Sequence, residues 1–110
     1  PAQLSAAQQQ RVALARTLAA GARLCLLDEP FGAQAAGLRE RLARLLRQRR
    51  QRDGFTTLLA TSDGPLGMRI ADRLAVLHAG EVHQVGTPVE LYDRPLTELA
   101  LHDYPKRQQE

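Results

Sequence analysis

The sequence predicts an α/β domain built on a mostly parallel sheet with flanking helices. Two observations carry that expectation. Leu24-Cys25-Leu26-Leu27 and Thr56-Thr57-Leu58-Leu59-Ala60-Thr61 are short apolar runs without alternation, the pattern of strands buried on both faces. Between them Leu38, Leu42, Leu45 and Leu46 recur at i, i+4, i+7 and i+8, with arginines on the remaining face, which is the period of a helix. Strand, helix and strand in that order favour a parallel crossover.

Each element follows from local chemistry. Ser5-Ala6-Ala7-Gln8 has the form of a capping box, with Ser5 as N-cap and Gln8 at the third helical position. Ala-rich sequence with Val12, Leu14, Ala15 and Leu18 carries that helix to Gly21, a natural stop. The first apolar run is closed by Asp28-Glu29-Pro30. The arginine-rich helix spans about Ala36 to Arg52 and ends at Asp53-Gly54. After the second run, Gly64-Pro65 reads as a break, and a short helix is expected from Leu66 to Asp72. Leu74 to Leu77 and Glu81 to Val85, joined by Ala79-Gly80, read as a hairpin. Thr87-Pro88 is an N-cap with proline at the first helical position, opening a helix to about Tyr92. Residues 1–103 are read as one domain portion and residues 104–110 as a frayed tail.

Composition narrows the partners. The chain has 110 residues, 44% of them hydrophobic, enough for a modest core. It carries a net charge of +3, and all of its 15 basic residues except Lys106 are arginine. That excess can attract phosphate, an anionic surface or nucleic acid. Arg39, Arg41, Arg44, Arg47, Arg49, Arg50 and Arg52 do cluster, yet none of Phe31, Phe55, Tyr92 and Tyr104 interleaves with them. A solvated helix face is therefore expected there, and no nucleic-acid partner. The single cysteine, Cys25, can form no internal disulfide and lies in an apolar run, as an inert buried thiol would. His78, His83 and His102 lack the compact spacing of a zinc site. No run approaches the roughly 18 apolar residues of a membrane span. The opening Pro1-Ala2-Gln3-Leu4 has no signal-peptide character, and the sequence is expected to be a piece of something longer.

Two segments can carry chemistry. Acids that end a strand lie at the C-terminal edge of a sheet, where α/β proteins bind ligands. Asp28 can hold Mg²⁺ through its carboxylate oxygen, and Glu29 can act as a general base on a water aimed at a terminal phosphate. The plainer alternative is that both acids cap the following turn. The second segment is the tip of the first helix, whose free N–H groups and positive dipole end suit phosphate. Any capped helix offers as much.

Together, in that order, these segments resemble the ATP-binding subunits of ABC transporters. The likeness runs from Leu4 to Arg16 through Leu24 to Ala33, the long helix, Thr56 to Asp63, Ala71 to Leu77, and His78 to Pro95. The stretch Gln84-Val85-Gly86-Thr87-Pro88-Val89-Glu90-Leu91-Tyr92 is similar to importers of the polyamine, ferric-iron, sulfate and sugar group. The resemblance implies a P-loop NTPase fold, ATP and Mg²⁺ as cofactors, a second ATP-binding subunit and transmembrane permease subunits as partners. It also implies a peripheral place on the cytoplasmic face of the inner or plasma membrane. Asp28 then matches the Mg²⁺-associated acid and Glu29 the catalytic glutamate. Ser5, Ala6, Ala7 and Gln8 stand at the signature, which faces the ATP of the partner subunit.

Departures from the family pattern set further expectations. No GxxxxGK[ST] loop or Gln loop occurs in the 110 residues, and the strand that carries that loop is expected to be missing from the sheet. The signature glycines are replaced by Ala6 and Ala7, whose methyls obstruct close approach to phosphate. Gln34-Ala35 stands where the family has Leu-Asp. Ser62 stands at the switch histidine, shorter and without positive charge. A truncated, non-hydrolysing chain is expected, either a damaged ATPase or a docking module derived from one. Asp63 is assigned no catalytic role and is read as a helix cap. Apolar strands lacking a neighbour are also an aggregation hazard, so low solubility is expected unless another segment or chain fills the gap.

Overall fold

A computed structural model describes residues 3–93, in the order α1 (Ala6–Ala19), β1 (Leu24–Asp28), α2 (Ala36–Asp53), β2 (Thr56–Ala60), α3 (Gly64–Ile70), β3 (Leu74–His78), β4 (Glu81–Gly86) and α4 (Pro88–Asp93). The chain divides into two compact units, one ending at Ser62 and the other beginning at Asp63. The tail from residue 104 lies outside the described residues.

In the first unit the capping box forms as expected. Ser5 Oγ accepts the Gln8 N–H at 3.1 Å, and Gln8 Oε1 accepts the Ser5 N–H at 2.9 Å. Such a cap contributes about 1 kcal/mol to its helix. β1 and β2 pair in parallel, with Leu24 opposite Thr56 and Asp28 opposite Ala60. α2 is the crossover between them and ends at Gly54, which has a left-handed φ of 76°. Its last residue, Asp53, opposes the negative end of the helix dipole. Arg52 and Arg49 pair with that carboxylate at 2.9 and 3.4 Å. The Arg52 hydrogen bond in particular holds Asp53 below the usual aspartate pKa.

The expectation of strands buried on both faces is corrected. Leu24, Leu26 and Leu58 are 55%, 66% and 68% exposed, whereas Cys25 on the opposite face of β1 is buried. Side chains alternate across a strand, and burial of both faces needs a layer on each side of the sheet. Among the described residues only one face is covered. The helix period also overstates burial at Leu45, which is 53% exposed, while Ala43 and Leu46 are buried instead. Their positions place the core-facing centre of α2 nearer to Ala43 and Leu46 than the leucine spacing implied.

In the second unit, Gly64-Pro65 is the first turn of α3 and not a break before it, and the helix ends at Ile70 rather than Asp72. Proline suits that turn because its missing N–H would have no partner there. Asp63 caps the helix, its Oδ1 accepting the Leu66 N–H at 3.0 Å. β3 and β4 form the expected antiparallel hairpin, with a bulge between Val76 and Leu77. Thr87 Oγ1 accepts the Glu90 N–H at 3.2 Å and opens α4. Leu91 of α4 is fully buried with Val76, and Met68 and Leu74 pack against them. Gly86 allows this approach: a methyl there would lie 2.6 Å from Glu90 Oε2 and 3.1 Å from Leu91 Cδ1. The expected single, mostly parallel sheet is thus corrected: among the described residues the strands form two separate two-stranded sheets, β1–β2 parallel and β3–β4 antiparallel.

Two outcomes follow for stability and association. The hairpin turn holds Ala79 at φ 49° beside Gly80 at φ 78°, and a left-handed Ala costs about 1 kcal/mol. Ala79→Gly is expected to protect the β3 and β4 amides from exchange more strongly, and weaker protection would contradict the turn geometry. The bare leucines of β1 and β2 are expected to drive self-association. Leu26→Thr with Leu58→Thr should lower the average mass in sedimentation velocity at equal concentration, and an unchanged mass would place the adhesive surface elsewhere.

Candidate functional site

The candidate site lies within the first unit, where β1 ends. Parallel pairing carries Asp28 to the C-terminal edge of the strand pair, opposite Ala60. The chain then turns sharply. Glu29 has a left-handed φ of 45°, and its N–H donates to the Ala60 carbonyl at 2.8 Å. Such a backbone costs on the order of 1–2 kcal/mol in a non-glycine residue, and persists only where its surroundings fix it.

Four contacts fix it here. The Glu29 carbonyl accepts from Gln10 Nε2 at 3.0 Å and from the Gly32 N–H at 3.2 Å. Its carboxylate accepts the Ser62 N–H through Oε1 and the Thr61 hydroxyl through Oε2, the latter at 3.3 Å. The side chain is therefore drawn towards the segment that follows β2. Ser62 meets Glu29 through its backbone and not its hydroxyl. Asp28 is exposed, and its carboxylate accepts no hydrogen bond among the described residues.

The tip of α1 belongs to the same unit. Ser5, Ala6 and Gln8 are exposed and Ala7 is half-buried. The capping box uses the Gln8 N–H, whereas the Ala6 and Ala7 amides, in the first turn, have no acceptor within the helix. Gln34 joins this tip to the loop after β1, with Nε2 donating to the Ala7 carbonyl at 2.9 Å.

Asp28 and Glu29 are thus at the strand edge, with Ser62 beyond β2 against Glu29, and Ser5, Ala6, Ala7 and Gln8 are at the helix tip, while Ala35 is the N-cap of α2. Sequence reasoning missed the residues between the edge and the tip. Gln10 was simply a helix residue, Thr61 a strand residue, and Gln34 a replaced leucine. Gln34 did carry a signal, because an amide in an otherwise apolar loop position needs partners if it is buried.

The residues present fit a divalent cation held mainly by other ligands. Among the described residues no group of three His, Cys, Asp or Glu side chains is placed to hold a metal ion. An unengaged Asp28 beside the strand end suits Mg²⁺, which is commonly bound by one or two carboxylates together with phosphates and waters.

Residues 1–32, which include the helix tip and the acidic strand edge, match the ABC transporter family model. The sulfate/thiosulfate import ATP-binding protein CysA 1 of Rhizobium meliloti is 50% identical over 97 residues, covering 88% of this chain and 28% of that protein. CysA of Brucella melitensis is 50% identical over 95 residues, covering 86% of this chain and 26% of its own length. CysA of Nocardia farcinica is 48% identical over 101 residues, or 92% of this chain and 30% of the relative. The chain therefore spans less than a third of the length of these relatives. Identity of this order across most of its own residues, with the family match falling on the helix tip and the acidic edge, leaves one assignment: the chain belongs to the ABC transporter family.

Proposed function

We propose that the chain supplies the signature tip and the acidic edge of an ATP-binding subunit in a solute importer. The observation that carries this reading is the placement of Asp28 and Glu29 at the C-terminal end of a parallel strand pair, in one compact unit with a capped helix tip. The cargo proposed is the sulfate/thiosulfate class, from the names of the relatives. The partners proposed are transmembrane permease subunits and a second ATP-binding subunit, with the chain peripheral on the cytoplasmic face. No described helix is long and apolar enough to cross a membrane, which suits a subunit that depends on others for the crossing.

The roles divide by location. The Ala6 and Ala7 amides with the Ser5 hydroxyl donate to the phosphates of ATP held by the second subunit, at the positive end of α1. Asp28 would hold Mg²⁺, which when bound would offset the charge of the phosphate oxygens. Glu29 is the general base, accepting a proton from the water that attacks the terminal phosphate.

Turnover by this chain is read as impaired. Ala6 and Ala7 crowd the tip, Ala35 supplies no carboxylate, and Ser62 offers Glu29 a backbone N–H where the family resemblance implies a histidine beside the γ-phosphate. Loss of one transition-state donor commonly costs about 100- to 1,000-fold in rate. A second reading, a docking module that no longer hydrolyses ATP, is favoured by Ala35 and Ser62.

The 110-residue chain is expected to release no phosphate from Mg-ATP above a protein-free blank. Release that Glu29→Gln abolishes would contradict impaired turnover. Binding is tested separately. An immobilised P-loop-bearing ATP-binding subunit of the sulfate/thiosulfate type should retain the chain in Mg-ATP and not in Mg-ADP. Ser5→Ala should weaken retention several-fold, and equal retention in both nucleotides would remove the clamp reading.

A further inference from the structure

We propose that Gln34 is a positioning residue: its buried amide ties the tip of α1 to the loop bearing Glu29, so that tip and loop move as one body. The purpose of that coupling rests on the function proposed above, whereas the coupling itself rests on hydrogen bonds within the first unit.

The residues form a relay of side-chain amides. Gln34 is 4% exposed. Its Nε2 donates to the Ala7 carbonyl at 2.9 Å and to Gln10 Oε1 at 3.0 Å, while its Oε1 accepts from an Arg11 guanidinium nitrogen at 2.7 Å. Gln10 continues the chain. Its Nε2 donates to the Glu29 carbonyl at 3.0 Å, and its Oε1 accepts the Ala33 N–H at 3.1 Å.

Chemistry allows each amide one orientation. A guanidinium can only donate and a carbonyl can only accept, so the Gln34 oxygen must face Arg11 and its nitrogen Ala7. For the same reason the Gln10 nitrogen faces Glu29 and its oxygen faces the Ala33 N–H. Reversing either amide would set donor against donor. The relay therefore has both a direction and fixed ends: the first turn of α1 at one, and the Glu29–Ala33 loop at the other.

A residue needed only to fill the gap between helix and loop could be apolar at no polar cost. A buried amide is costly unless satisfied, and once fully satisfied it fixes one geometry. The strained Glu29 backbone is what gains from that fixity. One of the two donors to its carbonyl is Gln10, and Gln34 holds Gln10 in place. Loosening the relay would free Glu29 to leave φ 45° and would let the Ala6 and Ala7 amides turn relative to it.

The test uses the full chain, labelled for NMR. Gln34→Met keeps the length and approximate volume of the side chain and removes both polar groups. The Ala33 amide is expected to exchange at least about tenfold faster, a factor that corresponds to about 1.4 kcal/mol. The Ala7, Gln8 and Gly32 amide signals should shift with it, while Leu58 and Leu59 in β2 stay in place as the control for folding. Gln34→Glu keeps the acceptor for Arg11 but faces the Ala7 carbonyl and Gln10 Oε1 with oxygen, so it should release Ala33 similarly while the Arg11 contact supports the fold. Wild-type exchange at Ala33 in either folded variant would overturn the proposal, as would changes spread evenly through β2. The ATP-dependent retention experiment separates the two readings. A several-fold loss in Gln34→Met is expected if the coupling serves the clamp. Failure of the wild-type chain to be retained would instead sink the functional reading, with the exchange rates still deciding the role of Gln34.

Discussion

The parallel pairing of β1 with β2 is the constraint on which the site depends, because it delivers two groups to one edge from distant parts of the chain. Asp28 arrives at the end of β1, and Thr61 and Ser62 arrive just beyond β2. An antiparallel pairing would send those residues to opposite ends. The pairing in turn requires a crossover, which α2 provides with its left-handed stop at Gly54. The Glu29 N–H extends the ladder by one bond to Ala60, and the backbone must then turn into a left-handed conformation to leave the sheet.

That turn explains the polar character of the neighbourhood. A strained peptide needs partners on both sides. Glu29 has Gln10 and Gly32 on its carbonyl and the Thr61–Ser62 segment on its carboxylate. The helix tip is held by equivalent means, from the capping box outward and from Gln34 inward. Both places proposed to face nucleotide are thus positioned by hydrogen bonds of fixed direction, while much of the apolar surface of the strand pair remains bare. Apolar packing carries the second unit instead, where Leu91, Val76 and their neighbours hold α4 against the hairpin.

What was legible in the sequence was local. Ser5 and Gln8 announced the capping box, Asp28-Glu29-Pro30 the strand end, Ala79-Gly80 the hairpin turn and Thr87-Pro88 the last described helix, because each depends on residues within a few positions. Burial was legible only in part. The runs at Leu24 and Thr56 are strands, but whether Leu24, Leu26 and Leu58 are covered depends on layers that no short pattern encodes. The contacts of Glu29 with Thr61 and Ser62 bridge more than thirty positions, and the Gln10–Gln34 bond bridges 24. Pairings of that range leave no periodic trace. Gly64-Pro65 misled for a simpler reason: the same dipeptide that breaks a helix interior suits a first turn once Asp63 caps it.

The central claim is that the strand edge and the helix tip are the two nucleotide-facing parts of an ABC subunit, the tip serving ATP held by another chain. Paramagnetic broadening measures this most directly, with Mn²⁺ replacing Mg²⁺ and Mn-ATP loaded on a P-loop-bearing partner mixed with the labelled chain. The account predicts selective loss of the Ser5, Ala6, Ala7 and Gln8 amide signals. Broadening confined to the arginine face of α2, or none at the helix tip while the two proteins are bound, would contradict it.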